Sequence, residues 1–221
     1  MRLSGFGIIV AFFTFSASLL AREPAPKAAS ASDYTIAEDS LSPNGRYAIA
    51  YLKETPEDWR KVKNYVVEVK PFRIIAEVHG SGVRADSKRM DVEVEWTADN
   101  SAVIATTRHD KWDMIVGSSY VALRDGKAAR RIDLLAGINR QLDADFRKSK
   151  GEVFNDYLPV ILTNSLITFE EGGKVIRVKT DAMNDPNTAR NVSWHAEFEG
   201  VLNIANEKWK VVTLKSTATK N

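Results

Sequence analysis

The sequence predicts a mainly β fold: antiparallel sheets with two propeller-blade-like repeats, one linking helix and a C-terminal group of strands. Three observations predict it. Apolar residues alternate with polar ones over 91–96 and again over 192–199, the two-residue period that puts one face of a strand in a core and the other in water. Clusters of Asn, Asp, Gly and Pro then punctuate the chain at the spacing of an all-β domain. Only one long stretch, with Leu134, Ile138, Leu142 and Phe146 four residues apart, carries the period of a helix.

The chain begins with Arg2 and an uncharged apolar run over 5–20. That run is shorter than the roughly 20 residues of a membrane span and suits an export signal, so residues 1–21 are expected to be cut after Ala21, with retention as an anchor as the alternative. The expected location is periplasmic or extracellular, with membrane contact only through this signal. Residues 22–32 are a Pro, Ala and Ser linker too poor in apolar surface to offset its ordering entropy. The remainder divides into two repeats over 33–134, a linking helix over 135–156 and a C-terminal β region over 157–221 expected to pack with the repeats.

Composition narrows the chemistry. Lys and Arg number 31 against 29 acidic residues, giving a net charge of +2, and the signs are interspersed. A nucleic-acid partner needs a concentrated basic face, so none is expected. With no cysteine, the chain has no disulfide, thiolate metal site or lipid-modified cysteine.

In chain order, the turn Ser42-Pro43-Asn44-Gly45 leads into a strand over 46–52, whose unbroken apolar run Tyr47-Ala48-Ile49-Ala50 fits burial on both faces. Thr55, Pro56, Glu57 and Asp58 carry the cap, first-turn proline and acids of a helix start, predicting a short helix over 56–62. Strands follow over 65–69 and 74–78, then the loop His79-Gly80-Ser81-Gly82, read as flexible. Over 91–96, Val92, Val94 and Trp96 take one face and Asp91, Glu93 and Glu95 the other. The turn Thr97-Ala98-Asp99-Asn100 opens strands over 102–107, 115–123 and 129–134. The helix follows, with Asp133 placed to cap it and Arg140, Asp143 and Asp145 expected on its wet side. Beyond it, Val160-Ile161-Leu162 and the alternation of Trp194, Ala196 and Phe198 mark further strands. The turn 171–174 lies between them, and a bulge is expected at Gly200.

The segment from Ser42 and the segment from Thr97, about 55 residues apart, share one plan: turn, buried strand, loop, two more strands. Ser42-Pro43-Asn44-Gly45-Arg46-Tyr47-Ala48-Ile49-Ala50-Tyr51 resembles the WD40-like repeat of TolB-type and prolyl-oligopeptidase-type propellers, over roughly residues 39–134. The resemblance implies blade-like sheets completed by the C-terminal region, and no family function is carried over with it.

Candidate chemistry is sparse. No G-x-S-x-G occurs, and no H-E-x-x-H. The densest reactive group is the loop His109-Asp110-Lys111-Trp112-Asp113, where His109, Asp110 and Asp113 are the first suspects for acid-base catalysis in a small hydrolase or metal-dependent enzyme. Asp181, Asn184, Asp185 and Asn187 offer oxygen ligands without the order of a calcium loop, so neither a metal nor any other cofactor is expected. His195 is read as solvated, and the sequon Asn191-Val192-Ser193 is discounted. Trp96 and Trp194 fall on apolar strand faces and are read as core. Trp59 and Trp112 fall in the loops that follow the first strand of each repeat, so both are candidates to bind a protein or glycan ligand at one edge. The reading that follows is an exported, non-catalytic binding module, with a structural envelope assembly protein as a further alternative.

Overall fold

The computed structural model describes residues 30–54, 56–58, 61–83, 90–109, 113–150, 160–184 and 192–220. They form a mainly β protein of three four-stranded antiparallel sheets and one α-helix, with no closed barrel or propeller ring. The first sheet runs β1 (Tyr34–Ile36), β2 (Tyr47–Leu52), β3 (Asn64–Glu68) and β4 (Arg73–Glu77). The second runs β5 (Met90–Trp96), β6 (Ala102–His109), β7 (Met114–Arg124) and β8 (Lys127–Asp133). After α1 (Leu134–Lys150), the third is built from β9 (Val160–Glu170), β10 (Val175–Asn184), β11 (Val192–Asn203) and β12 (Lys208–Lys220). In every sheet each strand pairs with its neighbours in sequence. Strand β1, three residues long, is too short to show a period and went unseen in the sequence.

The turns that open at Ser42 and at Thr97 match in their hydrogen bonds. Ser42 Oγ accepts from the Tyr47 N–H at 2.9 Å, and Thr97 Oγ1 accepts from the Ala102 N–H at 2.9 Å. Asn44 Oδ1 takes the Arg46 N–H, and Asp99 Oδ1 takes the Ser101 N–H, each at 3.0 Å. The fourth turn residue has positive φ in both, 67° at Gly45 and 60° at Asn100, a conformation that glycine and asparagine adopt at least cost. The two turns also touch, the Asn44 N–H donating to Asn100 Oδ1 at 3.0 Å. The Ser101 hydroxyl, then the Thr97 hydroxyl, hold the Asp99 carboxyl down at about 2.

The second sheet is the middle layer. Its Val92, Val103, Ala105 and Val121 meet Ile49, Val66, Ala76 and Val78 of the first sheet in one core. Its opposite face, with Ile104, Tyr120 and Ile132, joins α1 and the third sheet's Leu162, Ile176, Val178, Trp194 and Phe198 in a second, larger core. Packing of the third sheet on the second is thus direct. Trp194 is 1% exposed, and Trp96 stacks on Tyr47 while its indole donates to the Ser40 carbonyl at 3.0 Å. A third cluster, Tyr34, Tyr65 and Phe72 lying over Ala48, Ala50 and Val67, occupies the far face of the first sheet.

Helix α1 begins where the sequence placed it, with Asp133 Oδ1 accepting the Ala136 N–H at 2.8 Å. Leu134, Ile138 and Leu142 are fully buried. Three details depart from expectation. Asp145 is not on the wet side: its Oδ2 accepts from the indole of buried Trp194 at 3.3 Å, because the helix packs on β11 as well as on β7 and β12. Residues 79–82 are no loose loop, as the Ser81 N–H bonds the Val116 carbonyl and the Gly82 N–H bonds the Val62 carbonyl. Of the helix expected over 56–62, residues 59 and 60 lie outside the described set, as does its cap Thr55; the Lys61 N–H closes one turn on the Asp58 carbonyl.

Candidate functional site

Each sheet changes strand from its second to its third member at the same end of the stack. Strand β2 ends at Leu52 and β3 begins at Asn64; β6 ends at His109 and β7 begins at Met114; β10 ends at Asn184 and β11 begins at Val192. Two sets of bonds tie these ends together. Between the first and second sheets, Asn64 Nδ2 donates to Thr107 Oγ1 at 2.8 Å, while Asn64 Oδ1 accepts the Val83 N–H. Between the second and third, Asp113 accepts the Asn164 N–H on Oδ2 at 3.0 Å, and Asn164 Nδ2 donates to Asp181 Oδ2 at 2.8 Å.

Asn164 reaches Asp113 because β9 is irregular there. The register shifts between Lys179 and Asp181, and Asn164 takes a φ of 48°, which turns its N–H out of the ladder toward the neighbouring sheet. Asp113 itself has a φ of 47°. Arg108 completes the junction. Its Nη1 bonds Asp113 Oδ1 at 3.1 Å, its Nη2 donates to the Ser165 carbonyl, and its Nε lies 2.7 Å from Glu93 Oε2 as an ion pair without hydrogen-bond alignment. The side chain is 12% exposed, a cation whose counter-charges Glu93 and Asp113 come from its own sheet and whose further acceptor, the Ser165 carbonyl, comes from the third.

Beside Arg108 is a cleft of about 180 Å³ between the two sheets, lined by Glu93, Glu95, Ile104, Thr106, Ile167 and Thr168. That is below the roughly 300 Å³ at which small-molecule sites begin. Glu95, assigned from sequence to a solvated face, is half-buried here and accepts the Phe169 N–H at 3.0 Å. Burial pushes its carboxyl above the usual range, opposed by that bond. Alternation distinguishes the two faces of β5 but not what covers each, so neither Glu95 nor Arg108 stood out.

The residues singled out in the sequence fare unequally. His109 is half-buried at the end of β6, opposite Met90 and Met114. Asp113 has both carboxylate oxygens engaged, Oδ1 by Arg108 of its own sheet and Oδ2 by Asn164 of the third. Asp110, Trp112 and Trp59 lie outside the described residues, as do Asp185, Asn187 and Asn191. Of the calcium candidates that are described, Asp181 bonds Asn164, and Asn184 is buried with its Oδ1 on the Trp194 N–H at 2.6 Å. No group of three or more histidine or carboxylate side chains suited to a metal occurs among the described residues. His195 is exposed, and no described helix is long and apolar enough to cross a membrane. No protein-family model matches the chain, and no curated protein matches it.

Proposed function

We propose that the chain is an exported, non-catalytic binding protein of the cell envelope or secretome, which presents recognition loops from one end of a stack of blade-like sheets. The observation that carries this reading is the bonded convergence of the three strand ends at Asn64–Thr107 and Asp113–Asn164–Asp181. Loops held by a rigid scaffold are where binding residues concentrate, and two of these connections bear Trp59 and Trp112. Indoles stack on sugar rings, so a glycan is the first ligand to try. The matching hydrogen bonds of the turns at Ser42 and Thr97 support the WD40-like resemblance, which we retain as part of the proposal.

The test is tryptophan fluorescence of the purified protein titrated with soluble cell-wall glycan fragments. Saturable binding that weakens more than tenfold in the Trp59→Ala, Trp112→Ala double variant at unchanged melting temperature supports the reading. Binding indifferent to both substitutions, or none by the unaltered protein, removes the glycan assignment. Export is checked separately: the mass of protein recovered from outside the cytoplasm should start at Arg22. The catalytic alternative through His109, Asp110 and Asp113 is disfavoured because Asp113 is engaged structurally. A hydrolytic activity abolished by His109→Ala would restore it.

A further inference from the structure

The third sheet has two edges, and they differ. Strand β9 lies against β7 and β6 of the second sheet, whereas β12 closes the other side with no strand beyond it among the described residues. Strand β12 is long, 13 residues, and an outer strand of that length offers a row of unpaired backbone N–H and carbonyl groups. Its two faces are distinct. Trp209 and Leu214 turn to the core, while Lys208, Lys210 and Lys215 stand opposite Asn203, Val201 and Glu197 on the outer face, and all three lysines are exposed. Where the register slips, between Glu199 and Gly200, Val211 and Val212 are left 41% and 48% exposed. The strand contains no acidic residue.

These features say what would pair there. A second copy of β12 would add three more exposed lysines at the seam and no carboxylate to offset them, so self-pairing is opposed by charge. A strand alternating acidic and apolar residues meets no such opposition: its carboxylates fall over Lys210 and Lys215, its apolar side chains extend the surface at Val211 and Leu214, and its backbone fills the open edge. We propose that β12 is a docking edge for an acidic, extended peptide segment of a partner protein, taken up by strand addition. The site lies on the third sheet's free edge and does not depend on Trp59, Trp112 or the glycan reading.

The test uses protein purified from expression of the full chain and a short capped peptide alternating glutamate and valine. Trp209, half-buried on β12 against Phe198, is the reporter. The expected result is saturable binding that falls about tenfold or more, both when alternate peptide nitrogens are methylated and in the Lys210→Glu, Lys215→Glu variant. It should also weaken with salt. Equal binding of the methylated peptide would reduce the interaction to charge alone and overturn strand addition. Absence of binding, or a dimer formed through β12 that excludes the peptide, would overturn it as well. The lysine variant lies on a solvent-facing surface; its melting temperature, measured alongside, should match the parent.

Discussion

At Gly82 a single missing methyl group sets how closely two segments approach. A Cβ there would meet the Lys63 carbonyl carbon at 2.3 Å and the Asn64 nitrogen at 2.6 Å, both backbone atoms that cannot swing aside. Gly82→Ala is therefore expected to cost about 2–4 kcal/mol in urea unfolding. Gly172 is the control: its φ is 66° but nothing lies within 4 Å of the added carbon, so Gly172→Ala should cost only about 1 kcal/mol, from backbone strain. Glu95 gives a pH-dependent counterpart. Because burial raises its carboxyl, the folded state binds that proton more readily than the unfolded chain does. Stability from this group is accordingly greatest below the ordinary glutamate range and falls as pH rises through the raised value. Glu95→Gln keeps an acceptor for the Phe169 N–H and removes the charge. It should raise the melting temperature at pH 7 by about 1–2 °C, with the gain gone near pH 4. A gain that persists at acid pH would mean that shape rather than charge is responsible.

At the level of elements, α1 shows what periodicity conveys and what it leaves out. The four-residue recurrence of Leu134, Ile138, Leu142 and Phe146 located both the helix and its buried stripe, since a helix has one way to turn such a stripe inward. It did not convey that the helix packs on β11 closely enough for Asp145 to receive the Trp194 indole. That contact depends on the angle between elements far apart in sequence. Likewise the turn residues of Ser42 and Thr97 announced their own hydrogen bonds, which are local, while the bridging roles of Arg108 and Asn164 are not local and left no signature. Asp133→Ala should cost about 1 kcal/mol through loss of the cap to Ala136, and Leu142→Ala about 2–5 kcal/mol through the cavity beneath the helix. Chemical denaturation of both variants measures the difference.

For the whole molecule, the decisive feature is that the second sheet lends one face to each main core. Val103, Ala105 and Val121 serve the core with the first sheet; Ile104, Tyr120 and Ile132, borne by the same strands, serve the core with α1 and the third. The middle layer cannot unfold while either outer layer keeps its packing. Once the middle sheet is lost, the first sheet keeps only the small aromatic cluster on its far face and the third keeps only what it packs against α1. Linked in this way, with no disulfide to hold a part together, the three sheets should unfold as one cooperative unit. Trp96 reports on the first core and Trp194 on the second, so a variant that keeps only Trp96 of the five tryptophans and one that keeps only Trp194 separate their signals. The expected outcome is a single urea midpoint for both reporters, equal to that of the far-ultraviolet signal of the strands. Were the Trp194 transition to precede the Trp96 transition by a resolvable interval, the third sheet and its helix would be a separate folding unit docked on the second sheet. The Asp113, Asn164 and Arg108 junction would then be an interface that opens, rather than the fixed frame required by the loop end.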